Sequence, residues 1–358
     1  MNILRIYIQL PPNPGGMENH IGMLTNIQNE SNEVTLYFNR GNSITDRDQM
    51  IFPNYKLSNI KPSFIAFFIF YFGIILKLVF KKEKYDIVHI HGDWSSLIFI
   101  KILKKLSKAK VVVFTIHGLI TNSYPHRNFL PVMLKHVDLI FTTGHESARV
   151  IKKMVDKQVI IQPSGINNIF FQSSVRHFEN EKFNIVTVAN LVPIKNIKLI
   201  LEIAKDLPYI EFVIVGEGPE KDMHQNNINT NNIRNVKLLG YKTPCEIKKI
   251  YDESDCFLLT SLAEGTPTSA LEAMTSGLPI ISSNAGGINN IIIDYINGFV
   301  IDNYEKENYV SKIKLIKDNV ELRKLIYNNN KDLSENFRWD KVAERITQLK
   351  VECFNKKH

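Results

Sequence analysis

The stretch CFLLTSLAEGTPTSALEAMTSGLPIISS, residues 256–283, sets two short apolar runs either side of a small-residue, helix-like segment. CFLLTS and LPIISS are continuous apolar runs, as expected of strands covered on both faces in a parallel sheet. A strand, a helix and a second strand in that order make a βαβ unit. Pro267 suits the first turn of the helix, and Thr266 or Thr268 suits its cap. The stretch also places Glu264 just beyond the first strand. Glu272 follows eight positions later, about five residues into the helix and roughly 7 Å along its axis.

The same alternation runs outward in both directions. MNILRIYIQ, EVTLYF, YDIVHIHG, KVVVFTIHG, VDLIFTTG and KQVIIQP read as strands in the first half; NIVTVAN, IEFVIVGEG, NVKLLGY and NGFVI join the two above in the second. Strands alternating with helices imply an α/β protein with doubly wound parallel sheets. The pattern runs twice around an irregular break at residues 164–184, so two similar domains joined near residue 170 are expected. At 358 residues the chain exceeds the size of one core. WDKVAERITQLKVECF, within residues 337–358, reads as a helix packing back on the first domain, and QNNINTNN, residues 225–232, as a loop without chemistry. A hydrophobic fraction of 44% excludes disorder. Three cysteines without CxxC spacing exclude a disulfide frame or a cysteine zinc site and suit the cytoplasm. The start reads as a first strand, with nothing to suggest export.

The net charge of +8 is unevenly spread: nine lysines between residues 77 and 110 face only Glu83, Asp86 and Asp93. Just before them lies FIAFFIFYFGIIL, residues 64–76, without a charge. As a helix it spans roughly 20 Å, short of the ~30 Å hydrocarbon layer. It is read as a core helix or as an interfacial helix with a basic collar; an anionic membrane surface is therefore one candidate partner. No nucleic-acid signature accompanies the lysines.

Ligands of doubly wound sheets sit beyond the carboxyl ends of strands. Free amides near Thr268 and Ser269 would bind an anion at the helix mouth. Glu272 would then face a neutral hydroxyl-bearing part of the ligand, and Glu264 the anion's other side. A nucleoside diphosphate sugar has that layout. Gly15 and Gly16 follow the first strand, where glycine admits a close backbone approach, though a plain tight turn needs it too. Lys195, past a strand end, could neutralise a diphosphate or be a surface lysine. His117 ends the VVVFTI strand, as a ligand or a core histidine. His89 and His91 are expected to face opposite sides of their strand, with neither catalytic. GEGP, residues 216–219, reads as a turn bordering the nucleotide.

Glu264 and Glu272 match the E-x7-E motif of the retaining glycosyltransferases of family 4. The continuation AMTSGLPIISSNAGGINNIIIDYINGFVI, with its G-x-P-[IV], Gly-Gly pair and Asn-Gly turn, resembles that family too. PPNPGGMENH, residues 11–20, is similar to its Gly-Gly-x-Glu loop, and FTIHG to its histidine segment. NLVPIKNIKLILEIA resembles its phosphate-binding segment, and VIVGEGP the strand and turn after it. The resemblance covers most of the chain and is strongest over residues 185–300. It implies the GT-B architecture, two Rossmann-like domains facing across a cleft. Residues 1–170 would be the acceptor-side domain, with Gly15, Glu18 and His20 on that side. Residues 171–336 would bind the nucleotide sugar, a UDP-sugar being favoured, through Gly16 of the first domain and Asn190, Lys195, Gly265, Thr266, Thr268, Ser269 and Glu272.

The resemblance further implies transfer to a glycan or lipid-linked glycan acceptor with retained configuration, the acceptor attacking on the face the diphosphate leaves. Glu264, His117 and Lys195 would be the catalytic residues. No metal or cofactor is expected, since helix-mouth amides and Lys195 stand where other glycosyltransferases place an ion. Closure about residues 165–184 would assemble the site. Such a protein would work in the cytoplasm, peripheral at the inner face of the plasma membrane if residues 64–76 are interfacial. Two departures stand out. Ala189-Asn190-Leu191 replaces the usual Gly-Arg-Leu, and Asn289 and Asn290 stand where a glutamate is usual. A GT-B phosphorylase or epimerase, or a non-catalytic partner of another transferase, stays open at this level. Turnover without an acceptor would mark the former, and no turnover by the chain alone the latter.

Overall fold

The computed structural model describes residues 1–10, 16–53, 57, 60, 63–92, 94–117, 129–173, 178 and 182–357. Gly15, and most of the PPNPGG run with it, lie outside these residues. The chain divides into two compact units, Met1–Gly165 with Trp339–His358, and Ile166–Arg338. The division falls five residues before 170 because Ile166, Phe170 and Phe171 are buried in the second unit's core.

The first unit is built on a seven-stranded parallel sheet. Its strands are β1 (Asn2–Ile6), β2 (Glu33–Phe38), β3 (Gln49–Met50), β4 (Ile87–Gly92), β5 (Val111–Ile116), β6 (Leu139–Thr142) and β7 (Val159–Ile161), ordered 3-2-1-4-5-6-7. The helices are α1 (Gly16–Asn29), α2 (Ser63–Lys81), α3 (Ile100–Ser107), α4 (Leu130–Leu134) and α5 (His145–Lys152). One sheet face carries α2 to α5 in a shared apolar cluster that includes Ile74, Leu103, Leu134 and Ile151. The other face carries α1 and the last helix, α12 (Trp339–Asn355), where Leu24 meets Trp339, Val342, Ala343 and Ile346. The two-residue β3 is too short to announce itself in sequence.

Residues 64–76 lie within α2, one side of which is core and the other exposed. Phe70, Tyr71, Ile74 and Leu78 of α2 are buried on the sheet, whereas Phe64, Phe68, Phe72 and Phe80 point away from it and are 61%, 46%, 60% and 80% exposed. The composition is apolar all round; the sheet takes up only one side.

The second unit holds a six-stranded parallel sheet of β8 (Asn184–Val188), β9 (Glu211–Val215), β10 (Val236–Leu238), β11 (Cys256–Leu259), β12 (Ile280–Ser283) and β13 (Gly298–Ile301), ordered 10-9-8-11-12-13. Its helices are α6 (Ile197–Asp206), α7 (Lys221–Thr230), α8 (Pro244–Asp252), α9 (Thr268–Thr275), α10 (Lys306–Asp318) and α11 (Val320–Ser334). The opening stretch forms β11, α9 and β12, with Phe257 beside Ile280 and Leu258 beside Ile281 in parallel register. QNNINTNN is not a loop: it is largely the last two turns of α7. Asparagine is a weak helix former, but His224 and Ile228, one turn apart, are both buried and hold the segment helical.

α12 is fixed to the first unit by polar contacts as well. Gln28 of α1 donates through Nε2 to Thr347 Oγ1 at 2.7 Å and accepts from Lys350 Nζ at 3.2 Å. Lys350 is fully buried beside Arg5, and desolvation, then Arg5, pushes its ammonium well below the ordinary lysine range. The unfolded chain therefore binds a proton that the folded chain resists, and stability rises with pH up to the unfolded value near 10.4. Replacing the lysine by an apolar side chain removes this burden. Lys350→Met is expected to raise the melting temperature of this unit by at least ~2 °C at pH 7. The gain should shrink as the pH approaches 10, as followed by circular dichroism; a gain independent of pH would mean Lys350 is not the source.

Candidate functional site

In the second unit the chemistry gathers at the carboxyl ends of β8 and β11. After β8 the chain passes Asn190 into a single turn at Pro193–Lys195, and Asn196, in the left-handed region (φ 50°), redirects it into α6. Thr260, following β11, donates its hydroxyl to the carbonyls of Lys195 at 3.2 Å and Asn196 at 3.0 Å, and the Leu262 amide donates to Ile194 O at 2.8 Å. These bonds tie the two strand ends together. Lys195 Nζ then lies 2.6 Å from Glu264 Oε1, with the carboxylate buried and the lysine only partly exposed. Asn190 is exposed and its side chain makes no hydrogen bond among the described residues. It therefore brings no second cation to this end of the sheet.

Glu264 is held by a backbone contact that no side chain would allow. A Cβ on Gly286 would lie 2.0 Å from the Glu264 carbonyl oxygen, and Gly286 has φ +65°, so both position and conformation demand glycine. The loop is braced further at Ser261, whose carbonyl accepts from Ser283 Oγ at 2.6 Å and from the Tyr304 hydroxyl at 3.2 Å. The first of the Gly-Gly pair is thus a spacer for the glutamate.

α9 begins directly after this loop. Its first internal bonds run from the Ala270 and Leu271 amides to Pro267 O, so the amides of Thr268 and Ser269, like that of Gly265, donate to nothing among the described residues. No side chain caps this end. A helix mouth of this kind favours an anion. The Ser269 carbonyl is held by the buried Tyr251 hydroxyl at 3.1 Å. Glu272 stands one turn along, and burial pushes its carboxyl up to about 8; its side chain makes no hydrogen bond among the described residues. Near Asn190, the GEGP turn packs tightly: a Cβ on Gly216, at φ +142°, would meet Ala189 O at 1.9 Å, and one on Gly218 would meet Leu191 O at 2.3 Å.

In the first unit the structure brings His20, His91 and His117 together. His117 follows β5, His91 ends β4 and His20 rises from the first turns of α1. His91 Nδ1 and His117 Nε2 share a hydrogen bond at 3.1 Å, His20 Nδ1 lies 2.8 Å from Ser164 Oγ, and the His20 ring meets His117 and Trp339 edge-on. The rings of His89 and His91 are 4.1 Å apart on the same side of the strand. The expectation that they face opposite sides is overturned, because side chains two apart on a strand share a face. Burial holds His20, His89 and His91 well below the ordinary histidine range and His117 at about 4, so all four are neutral at pH 7.

Neutral imidazole is the form that ligates metal, and one nitrogen from each of His20, His91 and His117 lies within 4.8 Å of the others. This triad is the group among the described residues most able to take an ion. It also borders a cleft of about 260 Å³ lined by Tyr7, Met17, Phe67, Tyr71, His91 and His117. Glu18, buried in α1, accepts from the Tyr7 hydroxyl at 3.0 Å on that cleft's wall. Gly16 opens α1, and a Cβ there would meet nothing within 4 Å. Sequence reasoning considered His91 and set it aside, and passed over Tyr7, Ser164 and Tyr251, which no motif marks.

A family model described as "Glycosyl transferases group 1" matches residues 169–333, and one described as "Glycosyltransferase Family 4" matches residues 14–168. The UDP-Gal:alpha-D-GlcNAc-diphosphoundecaprenol alpha-1,3-galactosyltransferase of Escherichia coli is 28% identical over 308 residues, 78% of this chain and 78% of that protein. The phosphatidylinositol N-acetylglucosaminyltransferase gpi3 subunit of Schizosaccharomyces pombe is 23% identical over 94% of this chain and 78% of its own length. Anabaena Alr3699/HepE, solved in complex with UDP, superposes with a TM-score of 0.79 at 16% identity, over 98% of this chain and 100% of that one. Its likeness establishes the GT-B fold of two Rossmann-like domains. With the two models lying end to end from residue 14 to residue 333, the chain belongs to glycosyltransferase family 4.

Proposed function

We propose that this glycosyltransferase moves a hexosyl group from a nucleoside diphosphate sugar, UDP-linked by preference, to a lipid-linked glycan, with the anomeric configuration retained. The observation that carries the reading is the 2.6 Å Lys195–Glu264 pair beside the unpartnered amides of α9. The E. coli relative's name, with its UDP-Gal donor and diphosphoundecaprenol acceptor, supports the choice of both substrates. Assembly of a surface polysaccharide or glycoconjugate is the natural setting, and the free cysteines accord with work in the cytoplasm.

In this reading the diphosphate sits at the mouth of α9 and takes donors from the Thr268, Ser269 and Gly265 amides. Its negative charge draws Lys195 away from Glu264, and the ammonium then stabilises the leaving group. Glu264, freed of its cation and still held by the Gly286 contact, faces the sugar as positive charge develops at the anomeric carbon. The bond from that carbon to the diphosphate oxygen breaks while the acceptor hydroxyl oxygen bonds to the same carbon from the same face. The hydroxyl proton passes to a diphosphate oxygen, so no protein base is required. Glu272 takes the ribose hydroxyls. A non-catalytic partner role is the alternative that exposed, uncharged Asn190 favours.

Glu264→Gln and Lys195→Ala are each expected to lower turnover by at least ~100-fold with circular dichroism unchanged; near-wild-type rates in both would remove the mechanism, and no turnover of any nucleotide sugar by the wild-type chain would favour the partner role. Binding of UDP, measured by calorimetry, should tighten about tenfold as pH rises through about 8 and Glu272 loses its proton, because a carboxylate accepts hydroxyls more strongly than the acid. Affinity should be lost again as pH falls through that value, and Glu272→Gln should abolish the dependence. Turnover is expected to persist in excess chelator; loss that only added zinc restores would instead assign His20, His91 and His117 to a metal.

A further inference from the structure

We infer that the outer surface of the α2–α3–α4 layer of the first unit docks on an anionic phospholipid bilayer, with α2 lying in the plane of the interface. The inference goes beyond glycosyl transfer and does not rest on it.

The geometry starts from α2. Phe64, Ile65, Phe68, Phe72, Leu76, Val79 and Phe80 are its exposed large apolar residues, and at 100° per residue they fall within one stripe of about 160°. No polar residue interrupts that stripe before the helix ends at Lys81. The opposite side is built into the sheet's core, so the helix is a fixed wall of the domain and is not available to cross a membrane by itself. A contiguous apolar patch on a folded surface marks a docking site, not a water-facing one.

The surroundings of the stripe select the occupant. Phe68 packs edge-on against Phe99 at 5.6 Å, immediately before α3, so the apolar surface continues into that helix, which exposes Ile98 just before it and Ile102 within it. On α3 and α4 the apolar residues are interleaved with cations. Lys101, Lys105 and Lys135 are exposed, as is Val132. Lys101, Lys104, Lys105, Lys135 and His136 line a surface pocket of about 350 Å³ whose one carboxylate, Asp138, is already paired with Lys104 and Lys357. Burial first, then Lys101, Lys157, Lys104 and Lys135, holds the His136 ring below its ordinary value, a local sign of the positive field. No acidic residue occurs between residues 94 and 137, nor between 63 and 82.

A protein groove or a second copy of this chain would match the apolar stripe alone. The second copy would also bring the lysines against one another. An anionic bilayer matches both parts, with acyl chains for the phenyl groups and phosphates for the lysine pocket. The α2 stripe is thus an anchor and the α3–α4 cations its electrostatic collar.

The test is co-flotation of the full-length chain with vesicles of phosphatidylcholine alone or with 30 mol% phosphatidylglycerol. Strong binding is expected only with the anionic lipid at 0.1 M salt. At 1 M salt, where the Debye length falls from about 10 Å to about 3 Å, that preference should disappear. Phe64→Ser/Phe72→Ser/Phe80→Ser should weaken binding by at least ~30-fold, and Lys101→Gln/Lys105→Gln/Lys135→Gln by at least ~10-fold. The circular-dichroism spectrum and melting temperature of each variant, measured without vesicles, confirm that the chain is folded. The proposal is overturned if the wild-type chain stays unbound, if both variants float as well as wild type, or if light scattering shows a lipid-free dimer that the phenylalanine variant dissociates.

Discussion

A buried carboxylate and a partly buried ammonium held 2.6 Å apart at the ends of two adjacent strands organise the second unit. Neither charge would be tolerable there alone, since burying an unpaired ion costs far more than the pair returns. The surrounding backbone is correspondingly over-determined: Thr260 clamps the lysine turn, and Ser283 and Tyr304 clamp the loop before Glu264. Gly286 lets the neighbouring strand end approach the glutamate itself. In the proposed reading, where a charged ligand displaces the internal pair, this stiffness keeps the donors in place for the incoming anion.

The helix that follows the loop completes the arrangement from the opposite electrical direction. Its uncapped first turn offers amide hydrogens, and Lys195 of the ion pair carries the full positive charge. In the proposed reading an anion would thus meet two kinds of donor, the α9 amides and Lys195 of the β8–α6 turn. Glu272 is placed differently from Glu264. It has no cation beside it, and burial favours its acid form. The first unit shows another polar logic, in which His20, His91 and His117 gather beside an apolar cleft, His91 bonded to His117 and His20 to Ser164.

Much of the fold was legible because parallel strands buried on both faces must be written as uninterrupted apolar runs, and helices between them as amphipathic ones. β11, α9 and β12 appear where residues 256–283 place them. α7 depends on the burial of His224 and Ile228, which outweighs the poor propensity of its asparagines. α2 is uniformly apolar, so its sequence cannot say which side the sheet covers. The side shared by His89 and His91 was legible from spacing and was misjudged. In the site, the residue types were readable but their pairing was not: Lys195 and Glu264 are 69 positions apart, and nothing local links them. Gly286 shows in sequence as the first of a Gly-Gly pair, but the carbonyl that requires it lies 22 positions upstream.

The last helix belongs to the first unit, and this has a bearing on how the protein is made. A ribosome delivers residues 166–338 as one continuous stretch, and that unit can condense as soon as it clears the exit tunnel. The sheet that was synthesised earlier must wait, with Leu24 and its neighbours uncovered, until residues 339–355 arrive to close over them. During that interval the earlier-born half is the more vulnerable one, and a premature stop late in the message would injure the beginning of the molecule more than its middle.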